Sequence, residues 1–221
     1  MFFQKDYNAP PEEDASEATG PRRFFQIISQ EAAALLKLNL LFLLSCLPIV
    51  TIPPAFLALH QLSRRSVTGR GVRCWAQFWE VFRKEWKTAY GAFFLTAIPL
   101  AGAGYGAGFY LRFASSNVVF YLPFMFCATI FLAALLAAGY LYGLLADGCP
   151  LGKETVLLAV KLGLGKPLRS ILAAVSWYGT LAAGLLWFPL SGIYLLLIGF
   201  SIPCLLWQFF IRTVLEKFAA V

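Results

Sequence analysis

Five cysteines and a single histidine are the residues of this 221-residue chain best suited to thiol or metal chemistry. A structural zinc site needs four closely spaced nitrogen or sulfur ligands. Cys46, Cys74, Cys127, Cys149 and Cys204 form no CxxC pair, and His60 stands alone, so no metal site is expected. Three of the thiols lie in apolar runs, where a free cysteine behaves as a small hydrophobe. Cys74 and Cys149 fall in segments expected in the cytosol, where thiols stay reduced. The text Gly152-Lys153-Glu154 is not a phosphate loop, because a Walker motif requires glycine at 147 and Ser or Thr at 154, where Asp147 and Glu154 stand. Gly104-Tyr105-Gly106 matches a triplet of potassium filters without the surrounding filter residues. Leu43-Leu44-Ser45-Cys46 has the look of a lipoprotein cleavage site but lies too deep in the chain. No catalytic triad and no paired carboxylates are present. No acid lies in the middle of an apolar run, where ion-coupled transporters usually place one. Lys37, Asp147 and Gln208 all sit near expected span ends. The chain is therefore expected to hold no catalytic residue and no cofactor, and not to be an enzyme.

The elements that carry these residues are apolar. The chain is 60% hydrophobic and 13% charged, with a mean hydropathy of +0.72, whereas a soluble domain is near half apolar and about a quarter charged. This is membrane-protein composition. The net charge of +7 would suit nucleic acid, but the basic residues gather in the links between apolar runs, as the positive-inside rule expects of cytoplasmic loops. Nucleic acid is not expected as a partner; the lipid bilayer is.

The stretch LNLLFLLSCLPIVTIPPAFLALHQLSRR, residues 38–65, organises the rest. Unbroken from Ala32 to Leu62 it would be a helix of about 45 Å, too long for a hydrocarbon core of about 30 Å. Pro48, Pro53 and Pro54 supply a structural hinge, since proline removes a helix donor and pushes the preceding residue out of helical angles. Two helices are expected, from about Gln30 to Leu47 and back from about Ala55, with Pro48 to Pro54 in the turn. The second is too short to cross untilted and so a candidate re-entrant piece, the alternative being one kinked helix with a tail beyond the bilayer.

Residues 1–21 read as a disordered acidic tail and residues 22–221 as one transmembrane helical domain. After the hairpin, WAQFWEVFRKEWKTAY has helical periodicity. Its aromatic and basic residues, among them Trp75, Trp79, Arg83, Lys84, Trp86 and Lys87, describe an interfacial helix that anchors the next span or docks a partner. That span, about Ala89–Leu111, carries Gly102, Gly104, Gly106 and Gly108, two overlapping GxxxG spacings suited to close helix packing. Further spans are expected at about Val118–Ala146, Leu168–Phe188 and Ile193–Ile211, with a mildly amphipathic segment at Pro150–Lys166 between the first two. If the hairpin crosses twice, both termini and nearly all basic segments share the cytoplasmic side, and only Arg112 lies outside. The expected fold is an all-α polytopic bundle of about five full spans plus one short returning helix.

Through LNLLFLLSCLPIVTIPPAFLALH and FWEVFRKEWKTAY the chain resembles the YesL-like family of bacterial membrane proteins, and the helix-then-span at 153–178 fits that family's layout. The resemblance covers most of the chain after residue 22. Its motifs are topological rather than catalytic. Members are of unknown function, and some are encoded near sugar-import systems and their sensor kinases. The resemblance thus implies a multi-pass protein of the bacterial inner membrane. It further implies an accessory role in carbohydrate (ABC-type) uptake or its sensing, with ABC transporter subunits or a second copy of the chain as partners. The alternative is a small-solute transporter or channel built on the Pro48–Pro54 break.

Overall fold

The structure, a computed structural model, describes residues 21–68, 74–114, 117–165, 167–187 and 192–219. The acidic segment 1–20, Arg70, Arg73, Lys166 and the turn at Pro189-Leu190-Ser191 lie outside the described residues, as do the side chains of Arg22, Arg23 and Lys217. The described elements are helical, with no strand among them. They are α1 (Pro21–Ser45), α2 (Ile52–Val67), α3 (Cys74–Lys84), α4 (Trp86–Ala114), α5 (Tyr121–Ala146), α6 (Lys153–Gly165), α7 (Pro167–Leu186), α8 (Gly192–Leu197) and α9 (Ser201–Ala219), with short 3₁₀ turns at Ile49–Thr51 and Val118–Phe120.

The returning helix α2 is the hub. Pro53 and Pro54 open it, in a first turn where a missing N–H costs nothing and the fixed φ of proline already suits a helix. Twelve of its sixteen residues are buried, which makes it a helix covered on nearly every side rather than an amphipathic one. It packs against α1, α3, α4, α5 and α9. Ala55, Leu57, Ala58, Leu59 and Leu62 are fully buried there with Phe78 of α3, Tyr140 of α5 and Ile211 of α9. Two polar ties anchor its C-terminal end. Arg64 donates through Nε and Nη2 to the two carboxylate oxygens of Asp147, at 2.8 and 2.9 Å, and Arg212 Nη1 donates to the Val67 carbonyl at 2.9 Å. Asp147 caps α5, and Gly148 beyond it takes the left-handed conformation (φ 91°) that ends a helix cheaply only at glycine.

The hairpin of α4 and α5 has a different character. Trp86–Ala114 and Val118–Ala146, each 29 residues, are long and apolar enough to cross a membrane. The inner half of α5, from Leu136 to Leu145, is buried in the core. Its outer half and most of α4 expose large apolar side chains, including Ile98, Tyr105, Phe109, Leu122, Met125 and Phe126. Pro99 lies inside α4, which continues through it.

Two expectations are corrected. The interfacial segment 75–90 is not one helix: it breaks at Glu85, so Trp86 and Lys87 start α4. The stretch expected as one span, Ile193–Ile211, is interrupted at 198–200, dividing α8 from α9. Pro203 cannot donate to the Gly199 carbonyl four residues back, and its ring crowds that carbonyl. Gly199 itself is held so close to Leu195 that an added Cβ would lie 2.5 Å from the Leu195 Cα.

Candidate functional site

The interruption at 198–200 leaves backbone groups without helical partners inside the protein. A side chain from α1 takes them up. Asn39, fully buried, donates through Nδ2 to the carbonyls of Leu195 (3.0 Å) and Leu196 (2.7 Å). Its Oδ1 accepts from the N–H groups of Phe200 (2.9 Å) and Ser201 (3.1 Å). One amide thereby satisfies both sides of the break, as buried backbone requires.

The break directs α9 back against α2, where it places Trp207 and Gln208. Gln208 Nε2 lies 2.9 Å from His60 Nδ1, both side chains buried. With the amide nitrogen donating, as placed here, Nδ1 is the acceptor. His60 Nε2, Gln208 Oε1 and Trp207 Nε1 are buried without a hydrogen-bond partner. Packing adds to this contact in holding the junction. His60 stacks on Tyr142 (5.1 Å, 22°), and Phe56, one turn earlier on α2, meets His60, Tyr142 and Trp177 edge-on. Gly139 of α5 is the seat of the Trp207 indole: an added Cβ would fall 1.5 Å from the ring.

These rings wall a cavity of about 290 Å³ between α2, α4, α5, α7 and α9, completed by Ile52, Phe93, Thr96, Ala97, Leu100 and Tyr178. Among the described residues its lining holds no carboxylate, no amine or guanidinium and no thiol. The described polar lining is the hydroxyls of Thr96, Tyr142 and Tyr178, the His60 ring and the Trp207 N–H, and Thr96 Oγ1 already reaches the Ala92 and Phe93 carbonyls. A chamber of this kind binds by shape and apolar contact; it offers no nucleophile paired with a base.

A second, polar cavity of about 600 Å³ lies where α2, α3, α4 and α5 end or begin. Arg64, Arg65 and Lys84 line it with Glu80, Glu85 and Asp147, and Arg64 is paired with Asp147.

The residues singled out in the sequence fall elsewhere. Pro48 sits at the surface before the 3₁₀ turn, and Pro53 and Pro54 are buried at the start of α2. Gly104 faces the Phe131 ring and Gly106 the Cys127 sulfur across the α4–α5 contact, while Gly102 and Gly108 face open space. On α3, Trp75 is exposed and Trp79 half-buried against Phe78 and Phe82. Arg83 and Lys84 are exposed, and Lys87 lies 5.7 Å over the Trp86 ring. Cys74, which opens α3, is buried against α1, its Sγ 3.1 Å from the Ala34 carbonyl; burial pushes its thiol up to about 11, with the Glu31 carboxylate adding to the rise. No three His, Cys, Asp or Glu side chains converge among the described residues. Asn39, the His60–Gln208 pair and the Gly139–Trp207 seat escaped the sequence reading. The one available signal was Gly199 with Pro203, a spacing that interrupts a helix.

Residues 35–102 match the model of a protein family described as a protein of unknown function, DUF624. The matched stretch runs from the second half of α1 through α2 and α3 into α4. It contains Asn39, the proline break and His60, and excludes Gln208 and Trp207. No curated protein and no solved structure matches the chain.

Proposed function

We propose that the chain is a multi-pass protein of the bacterial inner membrane, with both termini cytoplasmic, acting as a non-catalytic accessory subunit of carbohydrate (ABC-type) uptake or its sensing. In this reading α1, α4, α5, α7 and the α8–α9 pair cross the bilayer, and α2 returns within the bundle. The observation that carries the membrane part is the outer half of the α4–α5 hairpin, which exposes apolar side chains on both helices. A surface of that size is unusual on a soluble monomer. The exposed Trp75, Arg83 and Lys84 of α3 support a docking role beside anionic headgroups or a partner. The carbohydrate assignment rests on the resemblance to the YesL-like family alone.

Affinity purification of the full chain from native membranes in a gentle detergent tests this reading, with ABC transporter subunits expected to co-purify. Repeated recovery of the protein alone counts against the accessory role. Extraction as a monodisperse species without detergent removes the membrane assignment as well.

The second reading is a small-solute transporter or channel. It is favoured by two interrupted apolar segments, at 46–51 and 198–200, both joined to α1; broken helices build substrate sites in several transporter folds. Solute flux into liposomes holding this protein alone would favour it over the first.

A further inference from the structure

We propose that the aromatic cavity is a binding site for hydrocarbon, filled by a segment of acyl chain from a surrounding membrane lipid that enters between α4 and α7. The inference rests on the membrane reading above and is independent of any transporter partner.

Three features point the same way. The first is the lining: among the described residues its walls are aromatic and aliphatic and carry no carboxylate, amine or guanidinium, their polar atoms being the hydroxyls of Thr96, Tyr142 and Tyr178, the His60 ring and the Trp207 indole N–H. A sugar or an ion would lose its hydration there with few replacements. The second is size and rigidity. An apolar cavity of about 150 Å³ holds benzene, and this one is about 290 Å³. Its rings brace one another edge-on, Phe56 against Tyr142 and Trp177, and Tyr178 against Trp207, so the space is preformed. The third is where it opens. α4 and α7 both line the cavity without substantial packing on each other. Their lining residues Thr96, Ala97 and Leu100 are half-buried and Tyr178 is exposed. The same stretches expose Phe94 and Ile98 on α4 and Val175 on α7. The mouth therefore lies on an apolar flank, where the neighbouring molecules in a bilayer are lipid chains.

The test uses Trp177 and Trp207, which line the cavity and are 6% and 2% exposed. Lipids that stay outside cannot touch them. The full chain carrying Trp75→Phe, Trp79→Phe, Trp86→Phe and Trp187→Phe is placed in nanodiscs of phosphatidylcholine, or of the same lipid brominated on its acyl chains. Emission is expected to fall about twofold in the brominated discs and to recover when Ala97→Phe puts a ring into the space. Absence of quenching, or quenching that Ala97→Phe leaves unchanged, overturns the proposal. In parallel, the wild-type chain in detergent is titrated with naphthalene, which keeps the test alive if the substituted protein does not fold. Binding abolished by Ala97→Phe is expected, and no binding overturns the proposal. Naphthalene binding without quenching by brominated lipid means that the cavity takes a free apolar solute, and the lipid source is wrong. Failure of the protein to enter the discs strikes the membrane reading instead, and the naphthalene result still reports on the cavity.

Discussion

Two interruptions inside apolar stretches, at 46–51 and 198–200, are held in opposite ways. Between Ser45 and Ile52 the chain turns at the surface, with Leu47, Ile49 and Val50 exposed by 77, 81 and 71%. Its bonds are largely local: the Thr51 N–H donates to the Pro48 carbonyl at 3.0 Å and the Thr51 hydroxyl donates to Pro48 and Ser45 carbonyls. Among the described residues, only the Tyr90 hydroxyl, donating to the Val50 carbonyl, reaches it from afar. At 198–200 the interruption lies inside the protein, with Gly199 buried and Ile198 and Phe200 half-buried. Its free backbone groups are met by the buried Asn39, more than 150 positions away in the chain. An exposed turn needs only residues that prefer turning. A buried one needs partners, and the cost of omitting them falls on the whole fold.

The sharpest way to break this comparison is Asn39→Leu, which keeps size but removes all four bonds across the buried interruption. It is expected to cost about 4 kcal/mol, two or more buried backbone groups being left unpaired. Unfolding in a mixed-detergent titration, read by tryptophan emission, measures it; a loss within experimental error would mean that the break holds itself. Next in size is Gly139→Ala. The added methyl would collide with Trp207, so α9 must shift, at about 3 kcal/mol. A third probe is Gln208→Leu, expected to cost about 2 kcal/mol by stripping His60 of its buried partner. Combining it with His60→Phe should cost less than the sum of the two singles, since the pair acts as a unit. The smallest effect is expected on the proline side. Pro54→Ala should change stability by about 1 kcal/mol, because alanine also tolerates the first turn of a helix and the loss is mainly of chain restriction. If Pro54→Ala proved more damaging than Asn39→Leu, the contrast between the two breaks would be reversed.

Much of the architecture was legible from residue pattern. Pro48 falls in the turn after α1, while Pro53 and Pro54, expected in that turn, instead sit in the first turn of α2, because proline there acts on its own turn and loses no helix bond. Asp147-Gly148 marks the end of α5 for the same local reason. The long apolar runs at 86–114 and 118–146 stand as helices able to cross a membrane. The site was not legible. Asn39 reads as one more polar residue in an apolar run, and Gln208 as a polar residue near a helix end. Nothing in their local context says that each meets a partner on a distant element.

The sequence by itself determined the helical class, the apolar character and the first break, because hydropathy, periodicity and proline geometry act over a few neighbouring residues. Only the tertiary structure decided which helix became the hub, where α9 turns back, and that Phe56, His60, Tyr142, Trp177 and Trp207 close around one space. Those outcomes depend on which apolar faces find each other, and with faces so alike in composition, the fit of one glycine to one indole and of one amide to one broken helix settles the arrangement.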